Sequence, residues 1–233
     1  MMRRENRILL VTKLGLSVAL VLAVGRPALA QTKQAPLLPR ALEVEMALNS
    51  APKHLRDGAT VLVLESAGYV KAKEGNNGFT CMVTRMDGDV FPVCWDEEGT
   101  RSLLPMYLDD AALRLKGMPG AEIARKIAEG FKEGRYRAPA RSGVAYMLSP
   151  MRYRIDEKGQ VSRTPSNPHV MIYAPYLTDA DIGGLRGSYA FINKVGPDGM
   201  IILPVGQKER AVILNESRSL IAEVESQIGF KAP

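Results

Sequence analysis

Two cysteines on either side of a predicted tight turn have the spacing best suited to chemistry. Asp87-Gly88 is typical of a type I′ hairpin turn, in which both central residues take positive φ. Counting outward from that turn places Cys81 opposite Cys94, on a pair without mutual backbone hydrogen bonds. The Cα atoms of such a pair are about 4.5 Å apart, which a disulfide can span. We predict a structural disulfide, because a redox pair is usually Cys-x-x-Cys and two thiols are too few ligands for zinc.

A histidine followed by two carboxylates suggests a second kind of chemistry. His169 opens an apolar strand, and Asp179 and Asp181 lie just beyond that strand. A histidine with nearby carboxylates can supply a general base and its orienting acid, with Ser149 as the nucleophile of a hydrolase. However, Asp179 is equally typical of the first turn of a short helix over 179–185, and no Gly-x-Ser-x-Gly motif surrounds Ser149. We therefore rank a structural role for the histidine first and catalysis second.

Basic residues are concentrated between positions 132 and 154. This stretch holds six Lys and Arg residues against Glu133 alone, with tyrosines between them. A cluster of guanidinium groups can bind an anionic partner, such as a phosphorylated glycan or a lipid headgroup. The alternative is a solvated face whose counter-charges lie elsewhere in the fold. The candidate anion-binding residues are Arg135, Arg137, Arg141, Arg152 and Arg154.

The sequence predicts neither a metal site nor a cofactor. The chain has two histidines, and Asp96-Glu97-Glu98 lacks the Asp-x-Asp-x-Asp spacing of a calcium loop. The methionines beyond residue 30 do not cluster as Met-x-x-Met, so we interpret them as core residues rather than copper ligands.

The first thirty residues have the parts of a cleavable export signal. A leader with four Lys or Arg residues precedes an uncharged apolar run over 14–24, and Ala28-Leu29-Ala30 places small residues where a signal peptidase cleaves. A run of this length is too short for a membrane anchor, which needs about 20 apolar residues. We predict cleavage before Gln31 and a soluble periplasmic or secreted protein without a transmembrane anchor.

Removal of that segment changes the interpretation of the charge. The whole chain carries +6, but residues 1–30 hold five basic residues and one acidic residue. Residues 31–233 therefore have 26 basic and 24 acidic residues, a net charge of +2. We expect no nucleic-acid partner, because most of the basic character belongs to the segment that is removed.

The elements that position these residues form a mixed pattern. Apolar residues at helical spacing predict helices over 40–50 and 121–132, the second strongly amphipathic, and a final helix over much of 209–228. Strand-like runs occupy 60–65, 69–73, 79–86, 89–95, 144–148, 170–174, 189–193 and 200–204. In the 89–95 strand Pro92 lacks a backbone N–H, which predicts a sheet edge at that point.

Strands outnumber helices in this pattern, and the first four strands are consecutive. We therefore predict an α+β fold with a mainly antiparallel sheet built from hairpins. Residues 31–39 form an exposed lead-in, and residues 40–233 form one domain of ordinary size.

Three segments carry a resemblance to a known group of proteins. GYVKAKEGNNGFTCMV (68–83), AYMLSP (145–150) and PHVMIYAPY (168–176) resemble an uncharacterised family of exported bacterial proteins with no assigned activity. The resemblance implies export and no particular reaction. We predict an envelope protein that binds a small or anionic partner without catalysis; the alternative is a periplasmic hydrolase that uses His169 with Asp179 or Asp181.

Overall fold

The computed structural model describes residues 36–156, 158–164, 167–185 and 189–230. The predicted export signal and cleavage site lie outside these residues. Of the predicted lead-in, residues 36–39 are described, and Leu38 is buried although an exposed segment was predicted. Its apolar side chain belongs to the core that contains the first helix.

Helices and strands alternate in groups along the chain. The helices are α1 (Arg40–Leu48), α2 (Lys53–Arg56), α3 (Glu97–Ser102), α4 (Leu104–Leu115), α5 (Gly120–Lys132), α6 (Gln207–Glu216) and α7 (Arg218–Ile228). The strands are β1 (Thr60–Glu65), β2 (Gly68–Lys73), β3 (Thr80–Met86), β4 (Asp89–Trp95), β5 (Val144–Met147), β6 (Tyr153–Ile155), β7 (Val161–Arg163), β8 (His169–Tyr173), β9 (Phe191–Ile192) and β10 (Met200–Pro204). In the described part of the chain, no helix is both long enough and apolar enough to cross a bilayer.

The strands form one sheet in the order β2-β1-β3-β4-β5-β8-β10-β9; in addition, β6 pairs with β4, and β7 pairs with β6. Both predicted hairpins, β1–β2 and β3–β4, are present, and the sheet is mostly antiparallel. The α+β prediction is therefore confirmed. Because β2 lies on the outer side of β1, the other side of β1 pairs with β3, and these two strands are parallel. This parallel pairing was not predicted.

The predicted register of β3 and β4 is confirmed residue by residue. Cys81 pairs with Cys94, and the two residues form a disulfide. Pro92 pairs with Val83 on one side. On its other side β5 pairs only with the end of β4 and β6 only with its beginning, so Pro92 lies at an edge between them within the described residues.

The sheet is covered by helices on both faces. Alternate residues of a strand point to opposite faces, and this separates two cores. On β1, Val61 and Val63 pack in the core that contains α1 and α7, whereas Leu62 packs in the core that contains α4. Cys81 and Met82 of β3 divide in the same way. We call these the α1–α7 face and the α4–α5 face.

Two helical predictions need correction. The segment 97–115, for which no element was predicted, forms α3 and α4; α3 packs against β4, and α4 packs against β2 and β3. The single C-terminal helix is two helices, α6 and α7, which meet at Ser217. The side chain of Ser217 is buried and hydrogen-bonded to Asn49, and this contact fixes the break against the end of α1.

Candidate ligand-binding cleft

His169 lies within the sheet and does not line the recess described below. It begins β8 and pairs with Met147 of β5 on one side and Pro204 of β10 on the other. Its Nδ1–H donates to the Asn167 carbonyl at 2.6 Å. Burial lowers the pKa of His169; the hydrogen bond to Asn167 opposes this shift, and the positive charge of Arg152 adds to it. These contacts give the histidine a structural place in the sheet.

Asp179 and Asp181 lie beyond the opposite end of β8. The strand has five residues, so its ends are roughly 13 Å apart. Asp179 Oδ1 accepts the backbone N–H of Ile192 at 2.5 Å, and Asp181 Oδ2 accepts both the N–H and the hydroxyl of Thr178 at 2.7 Å. The structure therefore does not bring the histidine and the aspartates together as a base and its orienting acid. The short helix predicted here is a 3₁₀ turn over Ala180–Ile182.

Two of the candidate anion-binding arginines share one carboxylate. Arg152 and Arg154 approach the two oxygens of Asp89 at 2.7 and 3.1 Å. The guanidinium of Arg152 also lies 5.4 Å from the ring centroid of Phe91. The counter-charge comes from outside the basic stretch, because Asp89 belongs to the preceding hairpin.

The other three arginines lie on a different part of the surface. Arg141 pairs with Glu98 at 3.2 Å, and Arg135 pairs with Glu133 at 3.0 Å. Arg137 is exposed and makes no ion pair within the described residues. The basic stretch is therefore divided in space and largely paired, and an anionic partner on it remains a prediction.

A recess of about 720 Å³ opens on the α4–α5 face of the molecule. Four segments line it, namely α4, α5, the turn between β3 and β4, and residues 193–198, together with Tyr176. We call it the cleft. Its apolar lining includes Met86, Met106, Ile127, Phe131, Val195 and Pro197.

Helix α5 turns its apolar side toward the cleft. Its sequence places Ile123, Ala124, Ile127, Ala128 and Phe131 on one side, as predicted for 121–132. Ile123 is fully buried, yet Ala124 and Ala128 are exposed, and Ile127 and Phe131 are half-buried. An amphipathic helix normally buries such a stripe against its own domain. Here much of the stripe faces an open recess instead.

A tyrosine fixes α5 against α4. The Tyr136 hydroxyl donates to Asp109 Oδ2 of α4 at 2.6 Å. Its ring lies so close to Gly130 that a Cβ there would be 2.3 Å from a ring carbon. The ring also packs edge-on against Phe131, with centroids 5.5 Å apart. The C-terminal end of α5, which forms one wall of the cleft, is therefore held by packing that requires a glycine at position 130.

One arginine joins two carboxylates in the cleft. Arg114 donates through Nε and Nη2 to the two oxygens of Asp110 at 2.5 and 3.2 Å, and its Nη1 lies 2.9 Å from Asp87 Oδ1. Burial raises the pKa of Asp110; the bonds and charge of Arg114 oppose the shift, and the charge of Asp87 adds to it. The carboxylate of Asp87 also abuts Gly120 at the N-terminus of α5, where a negative charge is favourable.

A second ion pair lies in the 193–198 wall. Lys194 Nζ is 2.5 Å from Asp198 Oδ2, and the aspartate side chain is 8% exposed whereas the lysine is 56% exposed. Asn193 Oδ1 accepts the backbone N–H groups of Lys194 and Met200 at 2.7 and 2.8 Å, which shapes this wall. Across the cleft, burial raises the pKa of Tyr107, and the charges of Asp198 and Asp110 raise it further. Both carboxylates therefore lie close enough to the Tyr107 hydroxyl to act on it.

The two described non-glycine residues with positive φ both line the cleft. Asp87 has a φ of 50°, which the type I′ turn requires and which aspartate tolerates. Tyr176 has a φ of 65°, a conformation that is rare for an aromatic residue. Its backbone N–H donates to the Gly196 carbonyl at 2.8 Å, and its ring is exposed. Strain of this kind is concentrated at functional sites in proteins.

Sequence reasoning identified one wall of the cleft and missed the rest. The apolar stripe of α5 was recognised as helical, but α4 was not, so Tyr107, Asp110 and Arg114 were not candidates. The i, i+4 spacing of Asp110 and Arg114 is a signal that could have found them. Among the described residues, no group of three or more His, Cys, Asp or Glu side chains is arranged to hold a metal ion.

Comparisons with other proteins do not identify the cleft. The resemblance of residues 68–83, 145–150 and 168–176 to a family of exported bacterial proteins stays a prediction. No known protein family, characterised protein or solved structure matches this chain.

Proposed function

We propose that this protein is an exported envelope protein that binds a small molecule in the cleft between α4 and α5, without catalysing a reaction. The apolar stripe of α5, left facing a recess of about 720 Å³, is the observation that carries this proposal. Recesses of about 300–1,000 Å³ with apolar walls and a few fixed polar groups are typical of small-molecule sites.

The energetics of the lining favour an occupant. Ile127 and Phe131 are only half-buried, and Ala124 and Ala128 are exposed. A ligand that covers these side chains gains roughly 25 cal/mol for each Å² of apolar surface removed from water. The Arg114 pairs with Asp110 and Asp87 fix the polar side chains of two of these walls in the structure without a ligand.

The polar groups of the cleft support binding rather than reaction. Arg114 is engaged by two carboxylates, and Lys194 is engaged by Asp198. Groups held in this way position a ligand and set its specificity. Of the two partner classes expected from the sequence, a small molecule is the one that the cleft favours.

Export rests on separate support. The N-terminal pattern is that of a signal peptide, and the Cys81–Cys94 disulfide is typical of an oxidising compartment. Protein recovered from an exporting bacterial host should therefore begin at Gln31. N-terminal sequencing that finds Met1 on membrane-bound protein would contradict export with cleavage.

Nile red, a neutral dye that emits strongly only in apolar surroundings, tests the proposed site. Ala128 is exposed and lines the cleft, so Ala128→Phe fills the recess without entering the core. Ala121→Phe is the matched control, because Ala121 is exposed on the same helix and does not line the cleft.

We expect the dye to brighten with the native protein and with Ala121→Phe, and to stay dim with Ala128→Phe. The thermal unfolding midpoints of both variants should stay close to that of the native protein. No brightening with the native protein, or equal brightening with a folded Ala128→Phe variant, would refute the proposed function.

A further inference from the structure

We infer that the ligand of the cleft is a compact organic cation, an ammonium group on an apolar or aromatic body. This inference rests on the proposed function, since it names the chemical class that the same cleft would take. It follows from which charged atoms in the cleft are already engaged and which are not.

The buried positive charge of the cleft is not available to an anion. All three nitrogens of the Arg114 guanidinium face carboxylate oxygens of Asp110 or Asp87. An anionic ligand would have to break those contacts, and both aspartates would then be left without their partner. Lys132 also lines the cleft, but it is exposed to water, where solvent and salt weaken its field.

Negative charge, in contrast, is available. Asp198 is almost fully buried, and among the described residues only its Oδ2 has a partner, the ammonium of Lys194. Its Oδ1 makes no hydrogen bond within the same residues, and because Asp198 lines the cleft, a ligand there can reach this carboxylate. Asp87 Oδ2 also makes no hydrogen bond within these residues, but the Asp87 side chain is 68% exposed and is therefore solvated. A cationic donor in the cleft can thus add a charge-assisted hydrogen bond to Asp198.

Lys194 does not satisfy this carboxylate permanently. Its side chain is more than half exposed and sits on a flexible four-carbon stem. It can move into water at little cost and leave Asp198 to a ligand ammonium. The ion pair is therefore a replaceable counter-charge, unlike the bidentate contact of Arg114 with Asp110.

The aromatic lining points to the same class of ligand. Phe131, Tyr107 and Tyr176 all line the cleft, and the faces of aromatic rings attract cations. The Tyr107 hydroxyl has no hydrogen-bond partner among the described residues and lies in the field of Asp110 and Asp198. An ammonium group in the cleft is stabilised by Asp198, whose counter-ion Lys194 is exposed, while an apolar body covers Ile127 and Phe131.

Three probes that share one body separate charge from shape. 2-Phenylethylammonium, 2-phenylethanol and 3-phenylpropanoate carry a positive, a neutral and a negative group on a phenylethyl unit. Calorimetric titration of the full mature protein at pH 7 and low salt should rank the ammonium tightest and the propanoate weakest. We expect about a tenfold advantage of the ammonium over the alcohol, the effect of one partly buried charge pair.

Two substitutions in one ion pair should act in opposite directions. Asp198→Asn removes the counter-charge and should lower the affinity for the ammonium about tenfold while leaving the affinity for the alcohol unchanged. Lys194→Gln removes the competing cation and should raise the affinity for the ammonium. Glu122→Gln, on an exposed α5 residue that does not line the cleft, is the control for a change of net charge and should alter none of the three affinities.

Equal affinity of the ammonium and the alcohol, no measurable ammonium binding, or a weaker ammonium in Lys194→Gln would overturn the inference. The Nile red result separates this failure from that of the proposed function. If the brightening depends on Ala128 but the protein does not prefer the ammonium, the cleft is a binding site and only the inference of a cationic ligand is wrong.

Discussion

The two faces of the sheet treat buried charge in different ways. On the α1–α7 face, Arg85 of β3 contacts both oxygens of Glu43 at 2.9 Å, and Glu43 Oε1 also accepts the Leu64 N–H. Both oxygens of that carboxylate are therefore satisfied by the chain itself. On the α4–α5 face, Arg114 likewise contacts both oxygens of Asp110, but Asp198, which is nearly as buried, has only the exposed Lys194 as a partner within the described residues.

The apolar surfaces show the same contrast. Helix α1 buries Leu42, Met46 and Ala47 against the sheet. Helix α5 has the more regular apolar stripe but buries only Ile123 and Gly130. A face that buries its apolar side chains serves stability, whereas one that leaves apolar surface uncovered is suited to a ligand.

The largest effect should come from breaking the buried ion pair of the α1–α7 face. Glu43→Ala leaves the Arg85 guanidinium buried without its partner, and we expect a loss of about 3–5 kcal/mol in the free energy of unfolding. Urea denaturation measures this loss. Glu65→Ala, which removes the exposed partner of Arg40, is the control and should cost less than about 1 kcal/mol. Equal losses from the two substitutions would show that the buried ion pair of the α1–α7 face contributes no more to the free energy of unfolding than an exposed ion pair.

Removal of the disulfide should have the next largest effect. The bond closes a short loop within a hairpin that its turn already pairs. Replacing both cysteines by alanine should therefore lower the free energy of unfolding by no more than about 3 kcal/mol. Reductant should shift the urea midpoint of the native protein toward that of the double variant and leave the variant unchanged. If reductant leaves the urea midpoint of the native protein unchanged, or if the native protein has titratable thiols, the predicted disulfide is wrong.

The smallest change in the free energy of unfolding should come from replacing His169, which lies in the sheet and belongs neither to the cleft nor to the core of the α1–α7 face. His169→Ala removes the donor to the Asn167 carbonyl, and we expect a loss of about 1 kcal/mol. Because folding lowers the pKa of this histidine, the unfolded chain binds the proton more tightly, and stability should decrease as the pH falls below about 6.5.

His169→Ala should remove the part of this pH dependence that belongs to the histidine. His54→Ala is the matched control, since His54 is exposed, and should leave that dependence in place. If the His169 variant is as stable as its parent with the same pH profile, the structural role is wrong.

Local rules predicted the parts of the fold that depend on neighbouring residues. Turn chemistry at Asp87-Gly88 and the two-residue period of strands were sufficient to pair Cys81 with Cys94 and to place Pro92 at an edge. The amphipathic spacing of 121–132 was sufficient for α5.

The cleft could not be predicted in this way because it is assembled from distant segments. Helix α4 begins at Leu104 without a side-chain cap, and Pro105 in its first turn is a weaker signal for a helix start. Asp198 belongs to the turn-forming sequence Gly196-Pro197-Asp198-Gly199, and nothing local shows that this turn lies across from Asp110. The same limit explains why His169 and Asp179, ten residues apart in the chain, were grouped although a strand separates them.

A single introduced thiol tests most directly whether the cleft is the binding site. Both native cysteines are held in the disulfide, so Ala128→Cys supplies the only free thiol of the chain, and Ala121→Cys supplies a matched thiol outside the cleft. The measurement is the rate of alkylation by iodoacetamide with and without bound Nile red. We predict that the dye slows modification of Ala128→Cys and leaves that of Ala121→Cys unchanged. Unchanged rates at both positions, with the dye bound, would place the binding site elsewhere and contradict the account.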